Sequence, residues 1–271
     1  MRLINRKPGP SWRISLAMLP FALLLVAYLA GSAARLAENP QDKLLPSVVQ
    51  MADAVERMAF KEDPRSGRYL LWDDTAASLK RLAMGLAIAA ALGLSLGILA
   101  GSLPLFGAAL SPLLTVVSMI PPLAILPVLF IVFGLDELSK VMLIVLGITP
   151  VIARDLEQRA REIPAELLIK AQTLGANTWT LILRVVLPQL LPRLLIALQL
   201  ALGSAWLFLI AAEAIASTDG LGYRIFLVRR YLAMDVILPY VAWITLLAWL
   251  MDLGLKRLTR VAFPWYEGGR A

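Results

Sequence analysis

Gln199, Gly203, Trp206, Ile210 and Glu213 follow one another along an apolar stretch at steps of 4, 3, 4 and 3. At about 3.6 residues per turn they project along one face of a helix. Glu213 carries the chemistry of the set, because no other charged residue lies between Arg193 and Asp219. A carboxylate inside a bilayer-crossing segment costs at least about 2.5 kcal/mol unless it faces a water-filled cavity or a partner. Two roles fit. Either the face lines a solute pathway, or Glu213 caps the backbone of the Gly220-Leu221-Gly222 turn or pairs with Arg224. In the first case, Glu213→Gln depresses solute movement while expression stays normal.

Other chemistry is sparse. The chain has no Cys and no His, which excludes a disulfide framework, a Cys or His metal site and His-based acid–base catalysis. A membrane enzyme needs paired carboxylates or a nucleophile with its base at membrane depth, and Glu213 stands alone in its stretch. The adjacent Asp73 and Asp74 read as a solvated pair at the start of a span rather than as metal ligands. No Lys or Arg falls in the middle of a span. A pathway lined by Gln199, Ser204, Trp206 and Glu213 therefore suits a neutral or cationic small solute, with the Trp206 ring face able to hold a cation.

The elements that must position these residues are helices in a membrane. Of 271 residues, 59% are hydrophobic, against roughly 45–50% in soluble domains. No Asp, Glu, Lys or Arg occurs from Leu82 to Leu135, 54 residues, and about 20 suffice for one crossing. The pattern predicts an all-α polytopic membrane protein with about six spans, at Ile14–Ala34, Leu82–Gly101, Ser111–Phe133, Val141–Ala153, Leu190–Ala216 and Val236–Leu255. The first reads as a retained span rather than a signal peptide, since it runs 21 uncharged positions against about 7–15 in a signal core. Basic residues cluster before it (Arg2, Arg6, Lys7, Arg13), in the six Lys and Arg between Arg154 and Arg193, and in the tail. That bias places both termini in the cytoplasm. The net charge of +7 and pI of about 9.9 follow from those loops, and no basic run with exposed aromatics points to nucleic acid.

Residues 1–34 then form the cytoplasmic N-terminus and first span, 35–79 an extracytoplasmic segment, and 80–271 the core. In the polar segment, Leu45-Pro46-Ser47 reads as a helix start and Pro64-Arg65-Ser66-Gly67 as a turn. Gly85, Gly93, Gly97 and Gly101 put small residues on one face of the second span, a surface for close helix packing. Pro121-Pro122 and Pro127 kink the third, since proline removes a backbone hydrogen bond that protein or water must replace. Such a kink serves a pathway or packing alone.

Between the fourth and fifth spans lies a loop, about 154–190, too polar for the bilayer yet helical in pattern. Ala165 to Leu174 forms one helix, which Gly175 stops in a left-handed conformation. Asn177 or Thr178 caps a second, running toward Val185-Val186-Leu187-Pro188. A short rigid helix of this kind, lying on a membrane face, transmits motion from a soluble motor.

The run Ala171-Gln172-Thr173-Leu174-Gly175-Ala176, followed after nine residues by Val186-Leu187-Pro188, resembles the cytoplasmic loop signature of permease subunits of bacterial ABC importers. Leu200-Ala201-Leu202-Gly203-Ser204-Ala205-Trp206, Ala212-Glu213 and Gly220-Leu221-Gly222-Tyr223 resemble the nitrate, sulfonate and taurine branch, as does the Leu45-Pro46-Ser47 start. The signature opens with Glu-Ala-Ala ahead of its Gly. Here those places hold Ile169-Lys170-Ala171, and Glu166, one helical turn earlier, is the acidic residue able to substitute. The resemblance implies the ABC importer permease fold in a bacterial inner membrane. It also implies docking on an ATPase groove through Glu166, Lys170, Ala171, Thr173, Leu174, Gly175, Ala176, Asn177 and Trp179. Partners so implied are ATPase subunits, a second permease copy in a homodimer and an extracytoplasmic solute-binding protein. The chain has no Gly-rich phosphate loop ending in Gly-Lys-Ser/Thr, so ATP and its Mg ion belong to the ATPase and no cofactor to this chain. Urea- or guanidine-type solutes suit the pathway chemistry. An ion-gradient-driven transporter or channel is the alternative, and it predicts an internal repeat that the sequence does not show.

Overall fold

The computed structural model describes residues 9–40, 42–64 and 66–266. Arg2, Arg6, Lys7, Arg65 and Arg270, counted above in the charge pattern and the expected turn, lie outside the described residues. The helices are α1 (Pro10–Glu38), α2 (Val48–Ala59), α3 (Leu70–Ser102), α4 (Pro104–Ser118), α5 (Leu126–Phe133), α6 (Glu137–Arg161), α7 (Ala165–Thr173), α8 (Thr178–Leu181), α9 (Leu187–Ala216), α10 (Leu221–Arg229) and α11 (Met234–Ala262). No strand occurs among the described residues.

Two compact units divide the chain. One holds the residues up to Tyr69 with Val228–Tyr240, the other Leu70–Leu227 with the residues from Val241 onward. In the first unit, α2 starts where Leu45-Pro46-Ser47 predicts. The Ser47 hydroxyl accepts from Gln50 N at 3.2 Å, and the Gln50 side chain accepts from Ser47 N at 2.8 Å, a reciprocal cap. The Tyr28 hydroxyl donates to the Pro46 carbonyl at 2.6 Å and Ser32 to the Leu45 carbonyl at 3.0 Å, fixing that start against α1. Arg35 pairs with Asp42, whose carboxyl it holds below its ordinary pKa.

In the second unit the core is the pairing of α3 with α6. A methyl group added at Gly85, Gly93, Gly97 or Gly101 would come within 2.5–2.7 Å of Ile144, Ile152, Leu156 or Ala160 respectively. The partner lies the same number of positions later in each case, so the helices run parallel at close approach. The stripe is a packing surface. α9 runs back along α6, with Phe208 filling the space over Gly147. Gln199 of α9 donates to the Asp252 carbonyl of α11 at 3.2 Å, and Trp243 of α11 donates to Thr75 of α3 at 2.9 Å.

Among the described residues four helices are long and apolar enough to cross a bilayer: Trp12–Glu38, Leu70–Ser102, Thr178–Ala216 and Met234–Ala262. The expected third span is a broken one. Pro104–Ser118 and Pro122–Phe133 meet at 84°, because Pro121 and Pro122 cannot donate to the preceding turn. Of the six spans expected, the fourth does not qualify, because charges crowd its apolar stretch, Glu137 and Lys140 at one end and Arg154 and Asp155 at the other. It is α6, longer than Val141–Ala153 at both ends. Glu137 meets Arg81 of α3, and Arg154, Glu157 and Arg161 meet serines of α4, while Lys140 and Arg159 pair with carboxylates of their own segment. α6 holds Leu143, Ile144, Ile148, Ile152 and Leu156, all nearly inaccessible. The second span starts at Leu70 rather than Leu82, so residues 70–79, expected in the extracytoplasmic segment, are helical turns of α3.

Candidate functional site

The loop after α6 has the conformation its residues dictate. Gly175 adopts φ +85°, its N–H bonds the Gln172 carbonyl at 2.9 Å, and Ala176 N–H bonds that of Ala171 at 3.0 Å. These two bonds close α7 in the double-bonded glycine stop. Asn177 then accepts from Thr180 N at 2.8 Å and opens α8. The second arm differs from the free-standing helix expected. It passes through a π-turn, Ile182–Val186, directly into α9. Pro188 has no N–H for the fourth carbonyl back and its ring crowds that carbonyl, so the helix widens by one residue just before it. The helix that carries the fifth span accordingly begins at Thr178, and α8 and α9 form one continuous rod.

Of the nine residues expected to contact an ATPase, Ala171, Gly175, Ala176 and Asn177 hold the loop's shape as above, and Thr173 does so through the Lys170 carbonyl at 2.8 Å. Glu166 and Lys170 are exposed, and Ala171 and Ala176 are half-buried. Leu174 and Trp179 flank the turn at 87% and 67% exposure. Ile169, where the family signature has Glu, is also exposed. Large apolar groups this open on a polar loop mark a contact surface.

The face Gln199–Glu213 does not stay together. Gly203 is exposed and Gln199 and Ile210 are half-buried, while Trp206 and Glu213 are buried. A cavity of about 340 Å³ opens instead on the neighbouring face of α9, lined there by Leu200, Ser204 and Phe208. Ser118 and Pro122, at the break in the third span, form its other wall with Asp155 of α6. The Arg154 guanidinium donates to Ser118 Oγ at 2.9 Å. Trp206 and Glu213 do not line this cavity, so the case for a cation-tolerant pathway loses its two principal groups.

Glu213 belongs to a buried ion network. Both of its oxygens accept from Ser78 Oγ at 2.8 and 2.9 Å, one from Arg81 at 2.8 Å and the other from Gly222 N–H at 2.8 Å. Arg81, also buried, reaches both oxygens of Glu137 at 2.6 and 2.7 Å and pairs with Asp219. Asp74 accepts from Gly220 N–H at 3.0 Å and from Arg224 at 2.8 Å. The turn is capped by Glu213 as one expectation had it, but the paired base is Arg81 and not Arg224. Asp74 is buried, contrary to the solvated pair expected, because Arg224 and a backbone N–H replace its water. Gly220, at φ +106°, has no room for a Cβ beside the Glu213 carboxylate. The signal for these partners was present in the sequence. Asp74, Ser78, Arg81 and Gly85 follow steps of 4, 3 and 4, placing the three polar residues on the face that packs against α6.

Residues 93–267 match the family described as binding-protein-dependent transport system inner membrane component. The chain is 38% identical over 196 residues to the taurine transport system permease protein TauC of Escherichia coli, covering 72% of this chain and 71% of that protein. It is 30% identical over 271 residues to the aliphatic sulfonates transport permease protein SsuC of Bacillus subtilis, covering 98% and 94%. It is 29% identical over 197 residues to the bicarbonate transport system permease protein CmpB of Synechocystis, covering 72% and 70%. Among solved structures, an inward-facing MetNI methionine ABC transporter superposes with a TM-score of 0.59 at 20% identity, over 70% of this chain and 96% of that one. A bacterial alginate ABC transporter does so with a TM-score of 0.62 at 13% identity, over 93% and 95%. These two carry the fold.

Proposed function

The chain belongs to the family of binding-protein-dependent transport system inner membrane components, and on that premise we propose that it is the permease subunit of an ATP-driven importer for a small organic oxyanion of sulfonate type. The observation that carries the reading is the loop of α7 and α8, with Leu174 and Trp179 bare on either side of the Gly175 turn and α8 continuous with a span. A separate ATPase would seat this surface. Closure on ATP would push α8, and α9 would move as part of the same rod. Two copies of the chain would enclose the path, and a binding protein would deliver solute at the far end. No covalent bond is made or broken by this subunit, and ATP with its Mg ion stays on the ATPase.

Solute class follows from two supports. The named relatives are described for taurine, aliphatic sulfonates and bicarbonate, each bearing an oxyanion. The cavity offers the Ser204 hydroxyl, and Arg154 stands beside its wall on Ser118 Oγ, while the Asp155 carboxylate in that wall faces Arg159 at 3.7 Å. Urea- or guanidine-type solutes drop behind, because the reading that favoured them needed Glu213 and Trp206 in the path. Ser204→Trp fills the cavity from an exposed position and leaves the loop untouched. Uptake of labelled taurine or alkanesulfonate should fall by at least about tenfold, a barrier rise of ~1.4 kcal/mol, while ATPase subunits co-purify as before. Undiminished uptake would move the path off this face.

A further inference from the structure

Where α9 leaves the polar loop, a second cavity of about 250 Å³ lies between the end of α6, the start of α9 and the segment after α11. Two arginines line it. Arg159 is engaged, with Glu162 at 3.0 Å and Asp155 at 3.7 Å. Gln158 completes the set on Glu162 at 3.1 Å, and these contacts, with the charge of Arg193 farther off, hold the Glu162 carboxyl below its ordinary pKa. The acid in the cavity is thus matched already. Arg193 is in a different position. Its guanidinium lies over the Tyr266 ring, 5.0 Å from the centroid, and makes no hydrogen bond or ion pair among the described residues. Stacking on a ring leaves the in-plane N–H donors of the fork open. The Tyr266 hydroxyl is buried and also without a partner among the described residues, a condition that native structures rarely leave uncompensated.

The surroundings are amphipathic. Leu190 and Trp265 line the same cavity, and Trp265 is 64% exposed while stacking edge-on with Phe263 at 5.5 Å. Tryptophan and tyrosine at the end of bilayer-crossing helices sit at headgroup level, and Trp265 and Tyr266 follow α11, itself one such helix, Met234–Ala262. An oxyanion attached to an apolar tail fits an open guanidinium, an unpartnered hydroxyl and an aromatic rim better than a free ion does, because basic pockets between spans at the headgroup level take anionic lipids.

We propose that this cavity binds the phosphodiester headgroup of an anionic phospholipid, with Arg193 as its ion-pair partner and the Tyr266 hydroxyl as a second donor. The site lies at the root of the rod that joins the loop to α9, so an occupied headgroup would brace the rod at the membrane surface. This inference does not depend on which solute is carried.

The test uses the purified full-length chain in detergent, supplemented with phosphatidylglycerol or with phosphatidylcholine of the same acyl chains. Bound lipid is counted by native mass spectrometry, and Tm is followed with added lipid. Phosphatidylglycerol should be retained and raise Tm, and phosphatidylcholine should do neither. Arg193→Gln should weaken phosphatidylglycerol binding about tenfold, the loss of one charge-assisted contact. Tyr266→Phe keeps the ring under Arg193 and removes a hydroxyl with no internal partner. It should weaken lipid binding with no fall in lipid-free Tm, a combination that a merely structural tyrosine would not give. Equal retention of the two lipids, or full retention by Tyr266→Phe, would overturn the proposal. An equal rise in Tm with soluble inorganic phosphate would also overturn it by assigning the cavity to a free oxyanion.

Discussion

Arg81→Ala should destabilise the chain by about 3–5 kcal/mol, the usual cost of removing one member of a buried charge pair. Arg81 is 3% exposed at its side chain and Glu213 0%. Without the guanidinium, the Glu213 carboxylate keeps Ser78 and Gly222 N–H but has no counter-charge, and Glu137 and Asp219 lose their shared partner. The loss is felt in three places at once, since Arg81 stands on α3, Glu137 on α6, and Glu213 and Asp219 at the α9–α10 turn. A fall in Tm and in the yield of folded protein in detergent would register it. Arg81→Lys should recover part of the loss, because an ammonium supplies charge but not the planar fork that meets Glu137 twice. The Glu213→Gln variant is revised by the same geometry. The amide preserves shape but leaves Arg81 short of one negative charge, so reduced stability accompanies any fall in transport. Unaltered melting of Arg81→Ala would mean that water, not Glu213, solvates this region.

The second large effect is expected at the loop. Leu174→Glu combined with Trp179→Glu should leave the chain folded, since neither residue is buried, while weakening ATPase retention by at least about 30-fold, the loss of one aromatic or aliphatic anchor of ~2 kcal/mol. Each substitution places a charge where an apolar groove would be desolvated. Asn177→Ala is the contrasting variant. It removes a cap worth about 1 kcal/mol and should loosen the turn without abolishing binding. Co-purification and ATPase stimulation read both. If the double variant holds its ATPase as tightly as the parent, the docking surface lies elsewhere.

Much of the architecture was legible because it depends on local rules. The glycine stripe Gly85–Gly101, the Ser47 cap and the Gly175 stop each follow from a residue type at a fixed place in a helix. What was not legible depended on distant partners. Asp73 and Asp74 read as a solvated pair, and the uncharged run beginning at Leu82 sets the expected start of the second span there. In the structure Asp74 and Arg81 are internally matched by Arg224, Glu137, Glu213 and Asp219, and the helix begins a dozen residues earlier. Arg224 was the nearest base to Glu213 in sequence, yet the paired one comes 132 positions before it. On the Gln199–Glu213 face the one charged residue reads as the mark of a pathway; in the structure Glu213 is matched by Arg81 at 2.8 Å, and the cavity side of α9 carries Leu200 and Ser204.

Reconstitution in sealed vesicles gives the most direct test of an ATPase-driven permease worked through α7 and α8. The chain, its ATPase and its binding protein would be assembled with ATP on the ATPase side and no ion gradient, and entry of labelled sulfonate followed. Uptake should depend on ATP hydrolysis and vanish with the Leu174→Glu, Trp179→Glu variant. Uptake by the chain alone, driven by an ion gradient with no ATP, would contradict it.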